Sequence, residues 1–207
     1  MVSEWWLDLL EQAIQTDAVQ NWLAYFHLGI MRHYAGDLVG SRGAWERSLE
    51  LEWTPWAARN LAVIAWEDEC LDEAADLLVE ACDAAPGILS LAVECGRCLI
   101  EAGRTHEWLK QVQDLPPSIR STGRIQLLEA QAALAEGELL IVEQFFSNQV
   151  VVADLREGEN SLTDLWFGYH ESRLSLDENI PVDDYLRERV RAEFHLPEEI
   201  DFRMRTS

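Results

Sequence analysis

The sequence predicts an all-α fold of stacked helix pairs, on three observations. Gly29, Ala62, Gly96 and Ala130 recur 33, 34 and 34 residues apart, each inside an apolar helical pattern, and a small residue at that interval implies helix pairs stacked as repeats. Trp45, Leu78, Val112 and Phe146 keep the same spacing and are all large and apolar, so small meets large once per repeat. Gly36, Gly103 and Gly137 each fall seven residues after the small position and precede Asp37, Arg104 and Glu138. These glycines are placed to end helices, where a positive φ costs glycine nothing.

In chain order, Ser3 is a candidate N-cap for a helix from Glu4 to about Gln15, whose apolar face is Trp6, Leu10, Ala13 and Ile14. About four helix pairs follow over residues 22–157, with Pro116-Pro117 cutting the second helix of the third pair short. Beyond Gly158 the repeat phase is lost. Asn160-Ser161 starts a helix to about Ser175 with an apolar stripe of Leu162, Leu165, Trp166, Tyr169 and Leu174; Pro181 and Asp183-Asp184 mark another over Val182–Phe194. Val150-Val151-Val152 is the one short β-branched run. The expected organisation is a leading helix (1–21), repeats (22–157) and a helical cap with an extended tail (158–207).

This phasing resembles the tetratricopeptide repeat, whose pattern places Leu-Gly in the first helix, Gly-Asp at the turn, and alanine and aromatic residues in the second helix. Leu28-Gly29, Gly36-Asp37, Ser41, Trp45 and Ser48-Leu49 fit the first unit. Leu61-Ala62, Ala74, Leu78, Ala81 and Pro86 fit the second, with Glu69 in place of the turn glycine. The last two units are degenerate. The third keeps Cys95-Gly96 and Gly103 but puts Trp108 at a small position; the fourth keeps Ala130, Gly137 and Phe146 but puts Glu129 where leucine is usual. The resemblance implies a right-handed α-solenoid with a C-terminal helical cap, acting as a non-catalytic module that holds a peptide or protein segment in its concave groove.

In that family the first helix of each unit lines the groove. Carried onto this chain, the lining is Leu23, Phe26, Ile30, His33 and Tyr34 from the first unit, and Trp56, Arg59, Val63 and Trp66 from the second. Arg97 and Arg124 follow from the third and fourth. Aromatic and arginine side chains are the types enriched at interface hot spots. Such a groove is expected to grip apolar side chains, with Arg59, Arg97 or Arg124 orienting an acidic group. Packing of these residues against another segment of the same protein is the competing reading. Repeats that clamp chaperone C-termini use lysine and asparagine at the positions held here by Phe26 and Ile30, so that mode is not expected.

Bulk composition narrows the classes further. With 207 residues and 48% apolar content the chain can bury a core without disulfide or metal. Its net charge of −22 repels polyanions, which excludes nucleic acid as an expected partner. Eight acidic residues and no basic one lie between Glu67 and Asp83, which reads as a solvated outer helix face, with attraction of a basic protein surface as the alternative. No apolar stretch reaches the roughly 18 residues of a membrane span. A reducing, cytoplasmic setting is the expectation, and Lys110 is the only lysine among 16 basic residues.

Residues with chemical potential do not assemble. Cys95-Gly96-Arg97-Cys98 has C-x-x-C spacing but lies inside a predicted helix rather than at a helix start after a strand. No second ligand pair follows to complete a zinc site, so Cys70, Cys82, Cys95 and Cys98 are all read as small buried apolar residues. His27, His33, His106, His170 and His195 are scattered and form no metal motif. With no assembled nucleophile, base and orienting group, no enzymatic activity, cofactor or metal is expected.

The two ends carry a further expectation. The leading helix is placed like a second helix of a repeat with no first helix before it, and Trp5 and Trp6 suit a solvated end poorly. Either the chain belongs to a longer protein, or that end packs on a partner, or the helix is an irregular cap. Leu165-Trp166-Phe167-Gly168-Tyr169-His170-Glu171, Ile180-Pro181-Val182-Asp183 and Glu199-Ile200-Asp201-Phe202-Arg203-Met204 resemble the end of large bacterial proteins that join a carbohydrate-related β-sandwich region to a tetratricopeptide array. That resemblance implies an alternative role, the helical accessory region of a larger carbohydrate-active protein, with another domain of the same parent as partner.

Overall fold

The computed structural model describes residues 4–16, 20–148, 151–152, 160–197 and 200–201. Among them every regular element is an α-helix, twelve in all, and none is a strand. Ser3, Val150 and Gly158 lie outside the described residues, as does the closing segment except Ile200 and Asp201. The helices fall into two compact units, Met1–Ala102 and Gly103–Ser207.

The first unit holds α1 (Glu4–Gln15), α2 (Trp22–Tyr34), α3 (Leu38–Leu51), α4 (Pro55–Glu67), α5 (Leu71–Ala84) and α6 (Leu89–Glu101). Each packs on the next in chain order: α1 on α2, α2 on α3, α3 on α4, and so to α6. Starts are chemically marked. Asn21, Asp37 and Thr54 each accept a hydrogen bond from the backbone N–H three residues on, satisfying a donor the helix leaves open, and Pro55 opens α4 where its missing N–H costs nothing. The ends are marked too. Gly36 takes φ +83°, and the Asp37 N–H reaches back to the Arg32 carbonyl, closing the helix. Glu69 adopts φ +60° at the corresponding turn, with Cys70 N–H donating to Ala65. A side chain therefore sits in the left-handed conformation that the repeat elsewhere gives to glycine.

Packing follows the small and large positions. Gly29 is buried against the Trp45 indole, whose Nε1 donates to the Phe26 carbonyl at 3.0 Å, while Ser48 Oγ donates to the Trp22 carbonyl at 2.8 Å. Trp45, Leu61 and Ile64 form a core cluster with Phe26, Leu49 and Leu77 against it. Ala57, Ala58, Ala62 and Ala65 of α4 and Ala74, Ala75 and Ala81 of α5 are fully buried, so these helix pairs approach closely across small side chains. The outer face of α5 carries Asp72, Glu73, Asp76, Glu80 and Asp83, all exposed.

The second unit holds α7 (Thr105–Asp114), α8 (Pro117–Arg120), α9 (Gly123–Ala135), α10 (Leu139–Ser147), α11 (Ser161–Glu178) and α12 (Asp184–Glu193). α7 stops before Pro116-Pro117, and Pro117 opens the single turn of α8. Gly137 takes φ +76° at the end of α9, with Glu138 N–H on the Ala133 carbonyl. The core joins α9, α10 and α11 through Leu127, Ala130, Val142, Phe145, Leu162, Leu165 and Tyr169, with Phe146, Val152 and Ile200 packed against it. α11 runs three residues past the expected Ser175 and ends on Asn179 in the left-handed conformation, while α12 begins at Asp184, capped by Asp183 on Leu186 N–H.

Candidate partner-binding surface

In the first unit a depression of about 550 Å³ opens along α2, α4 and the start of α6. Phe26, Trp56, Ile88 and Leu91 supply its apolar lining, and Arg59, Asn60, Ser90 and Glu94 its polar lining. Trp56 sits at the second position of α4 and is 46% exposed. That placement leaves an aromatic face available without opening the core.

Arg59 and Glu94 define the electrostatics here. Nε donates to Glu94 Oε2 at 2.7 Å and Nη2 to Oε1 at 2.6 Å, a bidentate pair between α4 and α6, and Nη1 donates to Asn60 Oδ1 at 3.3 Å. The Glu94 hydrogen bonds hold the guanidinium pKa above its ordinary value, against the effect of burial. Arg59 therefore meets any ligand as half of a neutral pair rather than as the free cation expected for gripping an acidic group. Arg97, by contrast, lies over the Trp66 ring at 5.9 Å, and no carboxylate pairs with it among the described residues.

Of the residues expected in the groove, Phe26, Trp56 and Arg59 share this depression. Leu23, Ile30 and Tyr34 are exposed on α2, with Val63 and Trp66 half-buried on α4, all outside its lining. His33 turns toward Trp45, ring centroids 5.7 Å apart, with Nδ1 buried and unpartnered. Arg124 belongs to the second unit, on α9. Asn60, Ile88, Ser90, Leu91 and Glu94 were not singled out from the sequence. Advancing Trp56 by one 34-residue repeat leads to Ser90, so the periodicity carries that position, while Glu94 has no such signal.

A second apolar slot lies between α1 and α2, lined by Trp6, Leu9, Leu10, Ala13, His27 and Met31. Arg32 fixes α1 beside it, donating through Nε at 3.1 Å and Nη2 at 2.7 Å to Glu11 Oε1.

The thiols do not form a reactive centre. Cys95 and Cys98 lie within α6 and are fully buried with Cys82; a hydrogen bond with Cys82, then burial, pushes the Cys95 thiol far above its ordinary range. A thiol so raised is not a nucleophile at neutral pH. Cys70 departs from the expectation of burial: it is exposed at the N-cap of α5, because the Glu69 turn carries it out of the helix interface. Among the described residues no group of His, Cys, Asp or Glu is arranged to hold a metal ion, and no helix is long and apolar enough to cross a membrane. No protein-family model matches the chain, and comparison with curated proteins finds no match.

Proposed function

We propose that this chain is a non-catalytic protein-interaction module of tetratricopeptide-like, right-handed stacked helix pairs, closed by α11 and α12 as a cap, whose first unit holds a partner segment in the depression along α2, α4 and α6. The observation that carries this reading is the depression itself, where Phe26, Trp56, Ile88 and Leu91 flank the Arg59–Glu94 pair. An exposed aromatic beside a preformed bidentate ion pair offers an anchor pocket with fixed polar groups, and little side-chain ordering remains to be lost on binding. The surrounding charge selects the partner. With 38 acidic against 16 basic residues in the chain, and Arg32, Arg42, Arg47 and Arg59 of the first unit already on carboxylates, the ligand is an extended segment with an apolar anchor flanked by arginine or lysine.

Selection of displayed random peptides on the full chain tests this. Enrichment of one apolar or aromatic residue flanked by basic residues, lost when Trp56→Ala is the bait, supports it. Enrichment of acidic peptides, or selection indifferent to Trp56, contradicts it.

A further inference from the structure

We infer that a polar pocket in the second unit, unconnected with the groove reading, binds a small zwitterion, a free α-amino acid with a polar side chain. α7, α8, α9 and α10 line an open depression of about 250 Å³, which suits a ligand of that size. Its centre is Glu129, the carboxylate that replaces the leucine of the repeat pattern. The side chain is only 13% exposed. Placing a carboxylate there costs desolvation that leucine would avoid, so packing alone does not account for it.

Glu129 Oε1 accepts from Arg120 Nη2 at 3.2 Å and from Gln113 Nε2 at 3.1 Å, whereas Oε2 accepts nothing among the described residues. Arg120 uses only Nη2 on that partner, leaving Nε and Nη1 for a ligand. One open carboxylate oxygen beside open guanidinium N–H groups complements an ammonium and a carboxylate held on one carbon. The rest of the polar lining is carboxamide, beside the apolar Ile141 and Phe145. Gln126, Gln144 and Asn148 have side chains without hydrogen-bond partners among the described residues, and each can both donate and accept. A net-neutral pocket disfavours ligands of either single charge. The one aromatic in the wall, Phe145, is 7% exposed and gives no face on which a sugar ring or a nucleobase could stack.

Calorimetric titration of the full chain with L-serine, L-threonine, L-asparagine and L-glutamine is the test, with methyl α-D-glucopyranoside as a polyol arm. At least one amino acid is expected to bind one-to-one. Its N-acetyl derivative and its carboxamide are each expected to weaken about tenfold or more, through loss of a charge-assisted hydrogen bond. Glu129→Gln and Asn148→Ala are expected to weaken it too; Asn148 is exposed just after α10, so the second substitution keeps the test readable if the first disturbs folding. Binding of none of the four, equal binding of the N-acetyl derivative, or binding of the glycoside alone overturns the assignment.

Discussion

Gly29 and Trp45 occupy each other's space: a Cβ built on Gly29 would lie 2.7 Å from the indole Cε2, inside van der Waals contact. The indole cannot retreat, because its Nε1 is bonded to the Phe26 carbonyl and its ring is buried against Leu61 and Ile64. Gly29→Ala is therefore expected to overpack the α2–α3 interface and destabilise by about 1–3 kcal/mol. The check is a thermal melt beside Gly43→Ala in α3, where a Cβ meets nothing within 4 Å and helix propensity is expected to stabilise by about 0.5–1 kcal/mol, so the two substitutions should shift the midpoint in opposite directions.

Glu69 holds the left-handed turn that glycine holds at positions 36, 103 and 137. Relieving that conformation outweighs the added freedom of the unfolded chain, so Glu69→Gly is expected to stabilise by about 0.5–1 kcal/mol. Chemical denaturation followed by circular dichroism should show a higher midpoint with an unchanged slope.

Thiol exposure gives a count. Cys70 is exposed, and Cys82, Cys95 and Cys98 are buried, so the native protein should react with one equivalent of a thiol reagent and the denatured protein with four. Two or more fast equivalents in the native state would mean that the α5–α6 interface opens.

His170 links the second unit to pH. Burial between Trp166 and Phe194, with Arg173 a further influence, lowers its pKa below the ordinary 6.5. The unfolded chain then binds the proton more readily than the folded one, so stability is full above pH 6.5 and falls as pH drops below it. His170→Phe is expected to flatten the dependence of melting temperature on pH between about 7 and 5.5.

How much of this was legible in the sequence depends on whether a feature is periodic. The small and large ladders recur every 33 or 34 residues, and the turn glycines keep that phase except where Glu69 stands, so they read directly as helix pairs and chain reversals. Arg59–Glu94 did not, since its partners stand 35 residues apart on different helices and nothing distinguishes Glu94 among 38 acidic residues. The Glu129 pocket is assembled from four helices, and in sequence Glu129 showed only as a misfit. The helix face points His33 to the groove, but large rings reach sideways, and its ring lies against Trp45 instead.

The most direct measurement of the central claim is fluorescence anisotropy of a display-selected basic peptide titrated with wild type, Trp56→Ala and Glu94→Gln. Trp56 is half-exposed at the start of α4, so its loss should leave helicity unchanged while weakening binding at least tenfold, and Glu94→Gln should weaken binding and reduce its salt dependence. Wild-type affinity in Trp56→Ala with helicity intact would contradict the account.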